Sequence, residues 1–122
     1  MKRTKDGDPE DLLPLPTAVF HILVALADRE RHGYGIMQDF AARTDGKMRL
    51  SPGTLYGSIK RMLEQGLIQE SDERPDPELD DERRRYYRIT EFGRRVAGAE
   101  TERLSKLVSQ AVASLLPGSK LA

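Results

Sequence analysis

The sequence predicts a mainly α-helical chain with one small β-hairpin and a long helix at its C-terminus. Four stretches, 17–28, 33–43, 51–65 and 90–116, carry apolar residues at helical spacing. Two short segments, 67–71, partly apolar, and 83–89, rich in β-formers and arginine, flank an acidic, proline-containing loop. The last helical stretch is the longest and keeps an apolar stripe to its end.

At 122 residues the chain suits a single small domain. Residues 1–13 are charged and poor in apolar side chains, and are expected to form a mobile tail. Residues 14–89 form the compact unit, 90–116 the long helix, and 117–122 a second tail. Pro14 and Pro16 lead into the first helix, Thr17 to Asp28. Its apolar residues, Phe20 and Leu23 among them, cover more than half its circumference, so it must bury more than one side. Part of that surface is expected to meet another subunit. Asp28 to His32 reads as a polar connector. His32-Gly33-Tyr34-Gly35 then opens a second helix that runs to about Arg43. Thr44 to Lys47 is a turn centred on Asp-Gly.

The third helix, within Leu50 to Ile68, carries the densest set of signals. Ser51 can cap it, Pro52 falls at the first helical position, and Gly66 supplies a left-handed stop. Leu55, Ile59, Met62 and Leu63 share one face and should point into a core. The opposite face carries Gly53, Gly57, Lys60, Arg61 and Glu64, flanked by Thr54 and Tyr56. A glycine inside a helix costs about 1 kcal/mol relative to alanine. Two of them on an exposed face imply close approach of something large to the backbone, and Lys60 and Arg61 imply that it is anionic. A nucleic-acid groove fits that description; a solvated amphipathic face is the plainer alternative, and the helix alone does not choose between them. Helix, polar turn, helix is the helix-turn-helix plan, with the second helix as the reader.

Leu67 to Ser71 and Arg83 to Ile89 make the hairpin, joined by a loop longer than the usual 2 to 5 residues. Alternation puts Arg83, Arg85, Tyr87 and Ile89 on one face and Arg84, Tyr86 and Arg88 on the other. One row faces the core through Tyr87 and Ile89, and the other presents arginine to phosphates. The acidic loop can compete for the same arginines. Thr90 caps the last helix, and Leu104, Leu107, Val108, Ala111, Val112 and Leu115 continue its stripe. A long amphipathic helix after a complete small domain is expected to pack on its mate in a second copy of the chain.

The bulk properties exclude several classes. There is no cysteine, so disulfides and Cys-based zinc sites are absent. No apolar run approaches the roughly 18 residues of a membrane span, and the N-terminus lacks a signal-peptide core, so a cytoplasmic protein without membrane contact is expected. Neither His21 nor His32 has a partner at metal-ligand spacing, so no metal is expected. No nucleophile–base pair or phosphate loop is present, so neither an enzyme nor a cofactor is expected. Basic and acidic residues balance at 20 each, but they are zoned: bases gather from Arg43 to Arg61 and acids from Glu70 to Glu82.

Three helices, a hairpin wing and a long C-terminal helix make a winged helix-turn-helix. Within that frame HGYGI at His32–Ile36, LSPGTLYGSIKRMLEQGLI at Leu50–Ile68 and RRRYYRITEFG at Arg83–Gly93 resemble the PadR family of bacterial transcriptional regulators. The resemblance covers about residues 14 to 116 and is similar to the smaller subclass with one C-terminal helix. It implies a homodimer, often a repressor, on a pseudo-palindromic double-stranded DNA operator. Carried over by motif position, Ser51, Thr54, Tyr56, Lys60 and Arg61 lie on the reading helix, Tyr34 lies near the DNA backbone or supports the reader, and Arg83, Arg84 and Arg85 lie on the wing. Thr90 and Gly93 begin the dimerisation helix. Family members often answer to small aromatic effectors bound near the dimer interface; this sequence identifies none. Two positions depart from the pattern: Gly57 stands where proline is common, and Met62 where leucine is. The rival reading is a winged-helix protein-interaction module without DNA binding.

Overall fold

The computed structural model describes residues 7–71 and 85–120. Its elements are a 3-10 turn at Pro9–Leu12, α1 (Thr17–Leu26), β1 (Arg31–His32), α2 (Gly33–Arg43), α3 (Pro52–Gln65), β2 (Ile68–Glu70), β3 (Tyr86–Ile89) and α4 (Glu91–Leu115). The helices enclose one core, and a three-stranded antiparallel sheet in the order β1-β3-β2 closes its side.

Local chemistry accounts for the helix ends. The Ser51 side chain accepts from the Thr54 N–H, Pro52 opens α3, and Gly66 closes it at φ 77°. Asp45 and Gly46 take positive φ in the turn before α3, where short polar and glycine residues tolerate it. The Thr90 hydroxyl accepts from the Gly93 N–H and donates to the Gly66 carbonyl at 2.6 Å, so one side chain caps α4 and ties it to the end of α3. A Cβ on Gly93 would run into the Leu67 carbonyl oxygen, so only glycine allows this crossing. The C-terminal carbonyls of α1 are served from elsewhere: Arg31 Nε donates to Ala25 at 2.6 Å and Arg94 Nη2 to Ala27 at 3.0 Å.

The core holds Ile22, Leu23, Leu26, Ile36, Leu55, Met62, Leu67, Ile68 and Val96, all but sealed from solvent. Burying each such side chain contributes about 1.5–3 kcal/mol. Four expectations are corrected here. Leu63 lies on the flank of α3, 39% exposed, because the buried stripe runs Leu55, Ser58, Ile59, Met62 and leaves it aside. Leu23 has no exposed surface within one chain, so it packs the core and cannot meet a second subunit. The supposed connector Asp28–His32 contains β1, which pairs Arg31 with Tyr87 and His32 with Tyr86.

The fourth concerns residues 9–13 of the expected mobile tail. Asp8 caps the turn Pro9–Leu12, and Leu12, Leu13 and Leu15 pack on the core. Glu100, 2% exposed on α4, accepts the Leu15 N–H at 3.0 Å and two bonds from Arg103 at 2.6 and 3.1 Å. Arg103 holds the Glu100 carboxyl below its ordinary range, against the opposing effect of burial. A buried charge is tolerated when paired in this way.

Candidate nucleic-acid interface

The helix-turn-helix places one face of α3 in the open. Ser51, Gly53, Thr54, Lys60, Arg61 and Glu64 are exposed along it. A Cβ on Gly53 would meet nothing within 4 Å, and one on Gly57 only Arg61 Nη1 at 4.0 Å. Neither glycine is required by packing within the chain, so their lack of side chain concerns what lies outside it. Lys60 and Arg61 have no ion-pair partner among the described residues, nor do Lys47 and Arg49 in the preceding turn. Arg43, by contrast, is held by Asp39 at 2.6 Å. Four cations without an ion pair among the described residues thus lie on α3 and in the turn before it.

Tyr56 flanks that face. It is half-buried, with its ring against the Gly33 backbone at the start of α2, where a Cβ would overlap the tyrosine hydroxyl. It spaces α2 from α3. Tyr34 is 59% exposed one residue further on. His32 caps α2, its Nδ1 accepting the Gly35 N–H at 2.9 Å, and its ring meets Tyr34 and Tyr86.

The wing is more constrained than its arginine count implied. Tyr87 is buried and Arg88 exposed, as the alternation required. Arg85 Nη1 lies 3.3 Å from Glu70 Oε2, an ion pair without hydrogen-bond alignment. Arg88 lies 3.6 Å from Glu30, which also accepts from the Ser71 hydroxyl at 2.8 Å. These acids belong to the strand and the connector; the acidic loop, with Arg83 and Arg84, lies outside the described residues.

Along α4 the stripe emerges from the domain. Leu107, Val108 and Leu115 are 51%, 58% and 76% exposed, Leu104 and Ala111 are intermediate, and Val112 is buried at 6%. Phe20 on α1 is half-buried. Lys47, Met48 and Arg49 extend the candidate interface beyond the residues named from sequence; Met48 is 48% exposed. Their signal was the basic zone from Arg43 to Arg61.

Comparison with known proteins assigns this architecture. The model of the transcriptional regulator PadR-like family matches residues 22–99. The chain belongs to the PadR-like family of transcriptional regulators. It is similar to transcriptional regulator Rv3488 of Mycobacterium tuberculosis, 34% identical over 90 residues, which span 74% of this chain and 78% of that protein. Among solved structures, a PadR-like regulator from Bacillus cereus aligns with TM-score 0.64 and 25% identity, over 83% of this chain and 92% of that one. A PadR family regulator from Clostridium difficile aligns with TM-score 0.64 and 22% identity, over 83% and 99%. The winged-helix fold and the role in transcription regulation follow from this membership. No helix among the described residues is long and apolar enough to cross a membrane.

Proposed function

We propose that this PadR-like regulator is a homodimeric repressor that binds a pseudo-palindromic operator through α3. The observation that carries the reading is the bare, basic face of α3, where Gly53 and Gly57 meet nothing closer than 4.0 Å and Lys60 and Arg61 stand unpaired among the described residues. Two such helices related by a two-fold axis enter successive major grooves about 34–36 Å apart. Lys47, Arg49, Lys60 and Arg61 neutralise phosphates and release counterions. Ser51 and Thr54, at the open start of α3, face the base edges, while Tyr34 contacts the backbone beside them. Tyr56 acts through the spacing it sets. Arg85 reaches a phosphate only by leaving Glu70. Bound at a promoter, the dimer blocks transcription. Release by a small aromatic molecule between the subunits belongs to the same reading and rests on the family alone.

The test is fluorescence anisotropy with the promoter fragment upstream of the protein's own gene, at several salt concentrations, beside a scrambled fragment. Fragment-selective binding that weakens steeply with salt and collapses in Lys60→Ala/Arg61→Ala supports the reading. The carboxylates that hold Arg85 and Arg88 favour one rival, a protein-interaction module. Weak binding, equal on both fragments and on a genomic selection library, would overturn the DNA reading and leave that rival standing.

A further inference from the structure

Between the end of α2 and the cap of α3, Lys47, Met48 and Arg49 form an exposed stretch. The Lys47 N–H donates to the Thr44 carbonyl at 3.0 Å, and Leu50 anchors the far end in the core. One hydroxyl holds the stretch between. Thr44 Oγ1 accepts the Met48 N–H at 3.3 Å and lies 3.2 Å from the Met48 carbonyl oxygen. It also lies 3.1 Å from the Phe40 carbonyl and 3.3 Å from that of Ala41, at the end of α2. A hydroxyl has a single proton to donate. The Phe40 and Ala41 carbonyls already accept the Thr44 and Gly46 N–H groups, at 3.2 and 2.7 Å. Among the described residues the Met48 carbonyl is the acceptor that Thr44 alone serves. The side chain thus ties the end of α2 to the middle of the exposed stretch. Lys47 and Arg49, on either side of Met48, make no ion pair among the described residues, and neither does Asp45 in the same turn.

We propose that Thr44 is a positioning residue for DNA binding: its hydroxyl holds Lys47 and Arg49 beside the start of α3, where both meet phosphates. This rests on the DNA reading above and names the residue that presents these two cations. Two flexible side chains on a loose segment would lose conformational entropy on meeting DNA. With the Met48 peptide already bonded on both sides, the backbone part of that loss is incurred on folding, before DNA arrives. Thr44 itself is half-buried at the end of α2 and acts through the residues it holds.

The test is a double-mutant cycle read by fluorescence anisotropy on the promoter fragment at several salt concentrations, with the Tm of each variant measured beside it. Thr44→Val keeps the shape of the side chain and removes the hydroxyl. Because Met48 is 48% exposed, water replaces the lost bonds, and Tm should fall by about 4 °C or less. Affinity should fall by about tenfold, and the slope of log affinity against log salt should become shallower by at least about 1. Thr44→Ser keeps the hydroxyl and should keep both. Lys47→Ala/Arg49→Ala removes two cations per subunit and should flatten the slope by about 3.6 in a dimer. Adding Thr44→Val to that variant should then change affinity by less than about twofold. If Thr44→Val weakens binding equally in both backgrounds, Thr44 acts by another route and the proposal is overturned. An unchanged slope in Lys47→Ala/Arg49→Ala also overturns it, whether or not Thr44→Val folds. Selective wild-type binding that Thr44→Val leaves intact overturns the positioning role and leaves the DNA reading standing. Wild-type binding that is weak and equal on promoter and scrambled fragments overturns the DNA reading, and this role with it.

Discussion

Gly57→Ala separates what the helix needs from what its partner needs. Gly57 lies in the interior of α3 with ordinary helical backbone, and the added Cβ meets only Arg61 Nη1 at 4.0 Å. Nothing in the chain resists the methyl, so the full helix-propensity gain of about 0.8–1 kcal/mol should appear. For a domain of this size that raises Tm by about 4 °C. If DNA packs against the Gly57 backbone, the same methyl must push it away. Overpacking of a fitted surface costs about 1–3 kcal/mol, and a dimer meets it twice. Operator affinity should therefore fall at least tenfold, since about 1.4 kcal/mol is a factor of ten. Calorimetry and anisotropy at one salt concentration read the two effects. Gly98 supplies the control, an open helical glycine on α4 with nothing within 4 Å. Gly98→Ala should raise Tm and leave DNA affinity alone. A Gly57→Ala variant that gains stability and keeps full affinity refutes close approach of DNA to this face. One that gains no stability refutes the propensity argument.

The remaining predictions address single contacts. Lys60→Ala/Arg61→Ala removes two cations per subunit, four per dimer, so the slope of log affinity against log salt should become shallower by about 3.6; an unchanged slope would mean that neither side chain meets a phosphate. Gly33→Ala places a methyl on the Tyr56 ring and should destabilise the fold by about 1–3 kcal/mol in urea titration, with partial recovery on adding Tyr56→Val. Glu100→Gln leaves Arg103 without its charge partner and should lower stability by about 1–2 kcal/mol at pH 7. Because the folded Glu100 carboxyl titrates below its unfolded value, its contribution is complete above the unfolded value and is lost as pH falls through the folded one; the difference between wild type and variant should shrink in acid and stay constant between pH 6 and 8. Val108→Glu puts a charge on the exposed α4 stripe and should convert a dimer to monomers by light scattering; a variant that stayed dimeric would move the interface off this stripe.

The helices were legible because their signals are local. Ser51-Pro52 and Gly66 bound α3, Thr90 opens α4, and an apolar stripe shows which side is buried; all act over three or four residues. The bare glycines and the basic zone were legible for the same reason. What the chain order hid were contacts between distant residues. Arg31–His32 carries no strand pattern and becomes β1 because Tyr86 and Tyr87 offer it a ladder. Tyr56 reads as a surface hydroxyl until α2 brings Gly33 against its ring. Leu23 is sealed and Leu63 is 39% exposed according to which elements pack on each helix, which helical periodicity does not encode. Glu100 looks like one more charge on an amphipathic helix; it is buried only because the N-terminal segment folds back and presents the Leu15 N–H, 85 residues away in sequence.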